Sequence, residues 1–571
     1  MISSMIRMLQ SKIVLTFICT WSAVIIVNAG NNFTVADEYE STDGLLKLTL
    51  DLDWLEIDPG FKTESSQFGA FKTRALGGSV PGPTVRVSAG DTLEVTFRNR
   101  LTRQDSALMS SQAKNTYSFP DTANLHFHGG HVSSVLPADD TTLEIGPGEE
   151  YNYVVHFPDE HAPGTHWIHT HYHGSTTLHL AGGAALCMIV KDPPGFLPAE
   201  VEEAEDVVMV LQYWHFEQLR TSAANAGDNK LVEQIEGFTG NHITINGHIE
   251  PTMNVKRGVW QRWRILHAGW YELDAGIYLK SLENEAECEF YLLAKDGIYV
   301  SDYPRSVRSL PIPPGGRADI MIRCNAVGNS AVNAIGRTII HVHVIEDDSN
   351  IVSVEAGQMM DSPEPLTPWS PSKPLYLQDL RETEPTKDCT CGTYFEGYGT
   401  ESNINNMKYD KGNHFLHTSF LGAVVERNIA GVHEHAYHQH VHPYQLIGGF
   451  SESDYFKIGD WHDTWQDKKQ GEEFGYVIRY RLTNLPGKIM VHCHNSQHAD
   501  EGMLAKEYVF NLTSAENGAC ECDVEGSIKG EGIVDKNIII ESDSPTVESS
   551  SFSLCTRSRT ALFIVILSLF S

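Results

Sequence analysis

The sequence predicts an all-β protein organised as three β-sandwich domains. Short runs alternate apolar and polar residues with the strand period of two, as at 45–52 and 92–98. Turn punctuation separates these runs, and long stretches of helical periodicity are scarce. Similar strand-and-turn phrases recur along the chain.

In chain order, residues 1–29 read as a secretory signal peptide. Arg7 and Lys12 precede an apolar run over 13–27, and Val27-Asn28-Ala29 gives a cleavage site after Ala29 or Gly30. The run is short of the roughly 20 residues a spanning helix needs. The first sandwich is placed at 40–195, with Pro81-Gly82-Pro83 and Ala89-Gly90-Asp91 as loops between its strands. The second, 200–365, repeats the phrase as Ile245-Asn246-Gly247, residues 255–258 and a strand-like 260–266. A Pro- and Ser-rich hinge over 362–374 leads into the third, 370–515. The acidic, Ser-rich segment 516–571 reads as a stalk ending in a hydrophobic anchor signal. Ser549, Ser550 and Ser551, a polar spacer at 553–560 and an apolar tail at 561–571 follow the order of a glycosylphosphatidylinositol signal. A frayed tail or a weak membrane anchor is the plainer alternative.

Composition narrows the function. The 571 residues hold 42 Lys+Arg against 74 Asp+Glu, a net charge of −32, with 41% hydrophobic residues. That is a globular composition whose charge repels phosphate backbones, so nucleic acid is excluded as a partner. The ends place the protein in the secretory pathway, extracellular or at the cell surface, with a lipid anchor as its route to a membrane. Asn32-Phe33-Thr34 and Asn511-Leu512-Thr513 are N-glycosylation acceptors. Ten cysteines fit an oxidising compartment. Cys19 falls in the signal peptide and Cys555 in the tail. Cys288 and Cys324 can pair; Cys389 and Cys391 can form two bridges with Cys520 and Cys522; Cys187 is left as a buried thiol.

The 27 histidines carry the chemistry. Four His-X-His pairs occur: His126/His128, His169/His171, His438/His440 and His492/His494. On a strand, residues i and i+2 share a face, so each pair aims two imidazoles one way. Two pairs lie in the first domain and two in the third. Packed together, they offer eight imidazoles, suited to a cluster of about three metal ions. A zinc store or a histidine-rich surface is the simpler reading, but it leaves Cys493, His498 and Met503 unexplained. With His435 these compose one thiolate, two imidazoles and a weak thioether, the donor set of a blue-copper site. Cys493 faces one side of its strand while His492 and His494 face the other, so one tripeptide joins both sites.

These motifs, HFHG from His126, HTHYHG from His169, HAYHQHVHPY from His435 and HCHNSQHADEGM from His492, resemble those of the multicopper oxidases, the family of laccases, ascorbate oxidases and ferroxidases. The resemblance implies three cupredoxin-like Greek-key domains and four coppers: one type 1, one type 2 and two type 3. By position it assigns His126 and His438 to the type 2 copper. His128, His169 and His494 go to one type 3 copper, and His171, His440 and His492 to the other. His435, Cys493, His498 and Met503 go to type 1. Relatives carry proline where Ala436 stands, and bacterial ones carry glutamate where Ala499 stands. Proton delivery to dioxygen then falls to Asp139 or Asp140. Cys493, His492 and His494 would carry electrons between the sites.

The implied reaction couples one-electron oxidation of a small reductant to four-electron reduction of dioxygen to water. The reductant is an organic molecule such as a phenol, in laccase fashion. The alternative is a cell-surface metal oxidase acting on ferrous iron, with Glu434, Asp500 and Glu501 binding the ion. A copper-binding protein without turnover is the third reading.

Overall fold

The computed structural model describes residues 32–61, 63, 69–104, 115–271, 278–281, 288–346, 365–412, 414–467, 475–511 and 519–522. The signal peptide, most of the stalk and the anchor signal lie outside them. In the strand Leu45–Ile57, Leu46, Leu50 and Leu52 turn inward and Lys47, Thr49 and Asp53 outward. Thr92–Asn99 does the same with Leu93, Val95 and Phe97. The two strands pair in parallel, Leu45 with Thr92 through Leu52 with Asn99, so both apolar rows fall on one face. Burying each such side chain contributes roughly 1.5–3 kcal/mol.

Among the described residues six principal sheets follow, in three pairs along the chain. A four-stranded sheet holding Leu45–Ile57 faces a five-stranded sheet that includes His126–His128, Gly164–His169 and Ala185–Val190. A seven-stranded sheet with Gln261–His267 and Arg317–Cys324 accompanies a four-stranded one with Arg337–Ile345. Two six-stranded sheets complete the third pair, one carrying Tyr437–Gln439 and Gly487–Cys493. Each pair encloses its own apolar core. A further core, with Phe71 and Trp167 packed among Trp214, Phe216 and Leu266, joins the first pair to the second.

The expected strands 92–98 and 260–266 are observed as Thr92–Asn99 and Gln261–His267, while 45–52 runs on to Ile57. Among the described residues the longest helix is Phe216–Asn225, and His215 caps it by accepting from the Gln218 amide. None is long and apolar enough to cross a membrane. Disulfides join Cys288 to Cys324, Cys389 to Cys520 and Cys391 to Cys522. Cys187 is a free buried thiol, which burial pushes up to about 12.

Candidate metal centre

Strand register brings the histidine pairs together. His126 lies opposite His169 between the strands His126–His128 and Gly164–His169. His438 lies opposite His492, and Tyr437 opposite Cys493, between Tyr437–Gln439 and Gly487–Cys493. Only the first pair sits wholly on a strand. His171, His440 and His494 lie one or two residues past a strand end, where the chain turns. The first and third pairs of sheets then meet with His126 stacked on His440 at 3.7 Å and His128 on His438 at 3.9 Å.

The ring nitrogens divide into two kinds. One nitrogen of each of several rings is held by a fixed acceptor. His126 Nδ1 meets the Asp139 carboxylate at 2.9 Å. The Nδ1 atoms of His169, His438 and His492 meet the backbone carbonyls of Thr170, Asp463 and Cys493 at 2.9, 2.8 and 2.9 Å. His128 is held the other way round, through Nε2, by Asp463 Oδ1 and Thr464 Oγ1, both at 3.2 Å. The opposite nitrogens, Nε2 of His126, His169 and His438 and Nδ1 of His128, are buried without a hydrogen-bond partner. Both ring nitrogens of His494 are too. Nε2 of His492 sits 3.1 Å from that of His171 and 3.2 Å from that of His440. The donor atoms of His126, His438 and His440 lie within 4.8 Å of one another, as do those of His126, His128 and His169, and those of His171, His440 and His492.

Burial, reinforced by neighbouring imidazoles, holds His126, His128, His171, His438, His440 and His494 well below the usual histidine range. Burial lowers His169 to about 3 and His492 to about 4. These rings are neutral at physiological pH, with lone pairs turned inward. Such a convergence, left unsatisfied, would be costly. It fits metal ions that accept imidazole donors, copper among them, each ring oriented from behind by its outer hydrogen bond.

A second group lies at the other side of the same tripeptide. Cys493 Sγ is 3.8 Å from His435 Nδ1 and 3.7 Å from His498 Nδ1, and the two nitrogens are 3.1 Å apart. Met503 is fully buried in the same core cluster, and its carbonyl accepts from the Cys493 amide at 3.2 Å. The helix Ser496–Asp500 carries His498 back toward the thiol. Burial brings His435 to about 3 and His498 to about 4. One soft sulfur and two neutral imidazoles fit a blue-copper ion.

The acids expected in the sequence go to different places. Asp139 accepts from the His126 ring and the Phe127 amide, and burial raises it well above the carboxylate range. Asp140 pairs with Lys488 at 3.0 Å and with Thr142. Asp500, expected at a surface ion site, is buried instead: its carboxylate accepts from the Gly174 and Thr177 amides at 2.6 and 2.8 Å. Its place among His169, His171, His492 and His494 lines a small cavity beside the cluster, and burial lifts it to about 7. Glu501 is half-buried, with Tyr117 and Gln497 as partners. Glu434 is half-buried too, with 45% of its side chain exposed, and lies 3.7 Å from His433. Asp463 and Thr464, which sequence reasoning missed, hold His128 and His438. The pair sits in the aromatic- and histidine-rich phrase 460–465, the one local signal that marks it.

Residues 368–511 match a family model described as multicopper oxidase, and residues 65–194 match a second model of the same description. The chain belongs to the multicopper oxidase family. It is similar to cell division protein FtsP of Xenorhabdus nematophila, 26% identical over 45% of this chain and 48% of the relative. Bilirubin oxidase of Albifimbria verrucaria is 23% identical over 80% of this chain and 76% of its own. A multicopper oxidase from Pseudomonas thermotolerans shares the fold, with a TM-score of 0.56 at 20% identity, over 82% of this chain and 99% of that one. For the first curated relatives, the match spans about half of their length.

Proposed function

We propose that the protein is a copper-dependent oxidase that couples one-electron oxidation of organic reductants, phenols among them, to four-electron reduction of dioxygen to water. The observation that carries this is the pair of donor sets joined through one tripeptide, with Cys493 in one and His492 and His494 in the other. His435, Cys493, His498 and Met503 would hold the type 1 copper, and His126 and His438 the type 2. His128, His169 and His494 would hold one type 3 copper, and His171, His440 and His492 the other. Bound copper supplies four one-electron stores, so that dioxygen can be reduced without release of partly reduced oxygen. The protein's part is orientation and exclusion. Asp139, Asp463 and three backbone carbonyls fix the tautomers of five rings. Asp500, beside the inner cavity, and Asp139, against His126, would hold a proton near dioxygen.

The surface supports an organic donor. Tyr398 is 49% exposed, with its ring 5.3 Å from that of His435 and 5.4 Å from that of His498. An aromatic reductant can stack there within reach of both imidazoles. Glu434 with His433 favours the second reading, oxidation of ferrous iron, but burial removes Asp500 from that site. Initial rates of the purified, copper-loaded protein with a phenolic donor and with ferrous iron decide between them. Faster turnover of iron overturns the organic reading, and no oxygen uptake with either overturns the oxidase itself. Export is proposed on the N-terminal pattern and the three disulfides, and a lipid anchor on the C-terminal pattern.

A further inference from the structure

The second pair of sheets contributes no histidine to the cluster, yet two of its residues reach it. Gly315 packs against His494: a Cβ there would lie 2.6 Å from the imidazole. Two residues on, Arg317 opens the strand Arg317–Cys324 and is fully buried. Its five N–H donors are all engaged. Nε donates to the Thr165 carbonyl at 3.1 Å, and one terminal nitrogen to Gly315 O at 3.0 Å and Asp463 Oδ1 at 2.7 Å. The other donates to Asp296 O at 3.0 Å and Asp463 Oδ2 at 2.5 Å. Such a two-point grip fixes a carboxylate's plane as well as its charge.

Asp463 in turn holds two imidazoles from different sheets. Its carboxylate meets His128 Nε2, and its backbone carbonyl accepts from His438 Nδ1. The same stretch is anchored a second time from the second pair of sheets. Asp296 Oδ2 accepts from the amides of Asp463 and Thr464 at 3.4 and 3.3 Å and meets His462 Nδ1 at 2.9 Å. Gly129, at φ +82°, leaves the space this arrangement needs: a Cβ there would lie 2.4 Å from the Arg317 guanidinium and 2.9 Å from Asp463.

We propose that Arg317 is a positioning residue for the histidine cluster: by clamping Asp463 it fixes the His128 ring with Nδ1 inward and keeps His438 stacked against it. The Arg317–Asp463 pair thus makes the second pair of sheets part of the oxygen-reducing centre. Arg317 touches no ligand ring through a hydrogen bond of its own and acts through Asp463. This inference rests on the copper reading above.

The test uses the full-length, copper-loaded protein and its Arg317→Gln and Arg317→Lys variants. Glutamine leaves Asp463 buried without its counter-charge, and lysine keeps the charge but loses the fork. Loss of such an outer partner weakens metal affinity or activity about 10–100-fold. Both variants are expected to keep the blue band, to show a shifted type 2 electron paramagnetic resonance spectrum, and to lose at least about tenfold in kcat, glutamine more than lysine. KM for the reductant stays within about twofold, because the Cys493 site is untouched. If Arg317→Gln does not fold, Arg317→Lys decides alone. An unshifted type 2 spectrum with unchanged kcat overturns the proposal, as does joint loss of the blue band and the cluster signals in the lysine variant. Wild-type protein without a type 2 signal would instead overturn the copper reading.

Discussion

The imidazoles of His126 and His440 lie face to face, 3.7 Å between centroids and 10° from parallel, although they come from the first and third pairs of sheets. Two neutral rings tolerate such an approach; two imidazolium ions would repel strongly at that distance. What holds His126 in this stack is Asp139, behind its Nδ1. The cluster therefore depends on carboxylates that touch no metal position, Asp139 among them.

Asp139→Ala removes the acceptor from a ring nitrogen in a buried site. Affinity for copper at the cluster should fall about 10–100-fold, while the blue band persists because Cys493 keeps its partners. Chelator titration followed by copper analysis measures this. Equal retention of copper by wild type and variant would show that Asp139 does not orient His126.

Histidines away from the cluster set a pH limit. Burial brings His161 and His179 to about 3, with His131 adding to the effect on the first and Arg74 on the second. In the unfolded chain both titrate near 6.5. Their folded values are lower, so as pH falls through 6.5 the unfolded chain takes up protons that the folded chain refuses. Stability is then lost toward acid, each residue contributing about 1.4 kcal/mol per pH unit. Between pH 6.5 and 5 the two remove about 3 kcal/mol, seen as a falling Tm. His179→Gln should remove its own share of that slope, about 1.4 kcal/mol per pH unit below about pH 6. A Tm that stays level down to pH 5 contradicts the assignment.

Most of the donor set was legible because its geometry is local. A His-X-His pair encodes its own convergence, and Cys493 between His492 and His494 encodes the link between two sites. The sequence expectation departs where direction matters. Asp500 follows Ala499 in an acidic phrase and reads as a surface acid, but the helix Ser496–Asp500 turns its carboxylate onto the Gly174 and Thr177 amides. Arg317 was invisible for another reason. It meets Asp463 across 146 residues, and no spacing rule connects an arginine opening one strand to an aspartate in a distant sheet. The same holds for the disulfides, where the sequence supplied the two clusters and the fold paired Cys389 with Cys520.

Gly315→Ala tests the contact between the second pair of sheets and His494. Gly315 has φ +85°, and a Cβ would lie 2.6 Å from the ring carbons of His494. The left-handed backbone costs about 1–2 kcal/mol for alanine, and the overlap roughly 1–3 kcal/mol more. The expected result is a lower Tm together with a disturbed type 3 signal. Normal spectra in a destabilised variant would mean that the strain is absorbed elsewhere.

Cys493→Ser separates the two donor sets. The thiol lies 3.8 Å from His435 Nδ1 and 3.7 Å from His498 Nδ1. Serine's hydroxyl is a far poorer soft ligand than a thiolate, so the outer copper is lost or badly weakened. The blue colour arises from the copper–thiolate bond and vanishes with it. On the other face, His492 keeps its Nδ1 contact with the residue 493 carbonyl, a backbone group the substitution leaves in place. The His494 amide still donates its hydrogen bond to the Ala436 carbonyl at 2.7 Å. The inner donors therefore stay aligned, and about three of four coppers remain by metal analysis. Steady-state oxidation of phenols and of ferrous iron should both fail, since either donor needs the outer copper. Protein reduced beforehand should still consume oxygen. A variant that keeps its blue band, or turns over either donor at near wild-type rate, would remove Cys493 from the outer site and detach the two donor sets from each other.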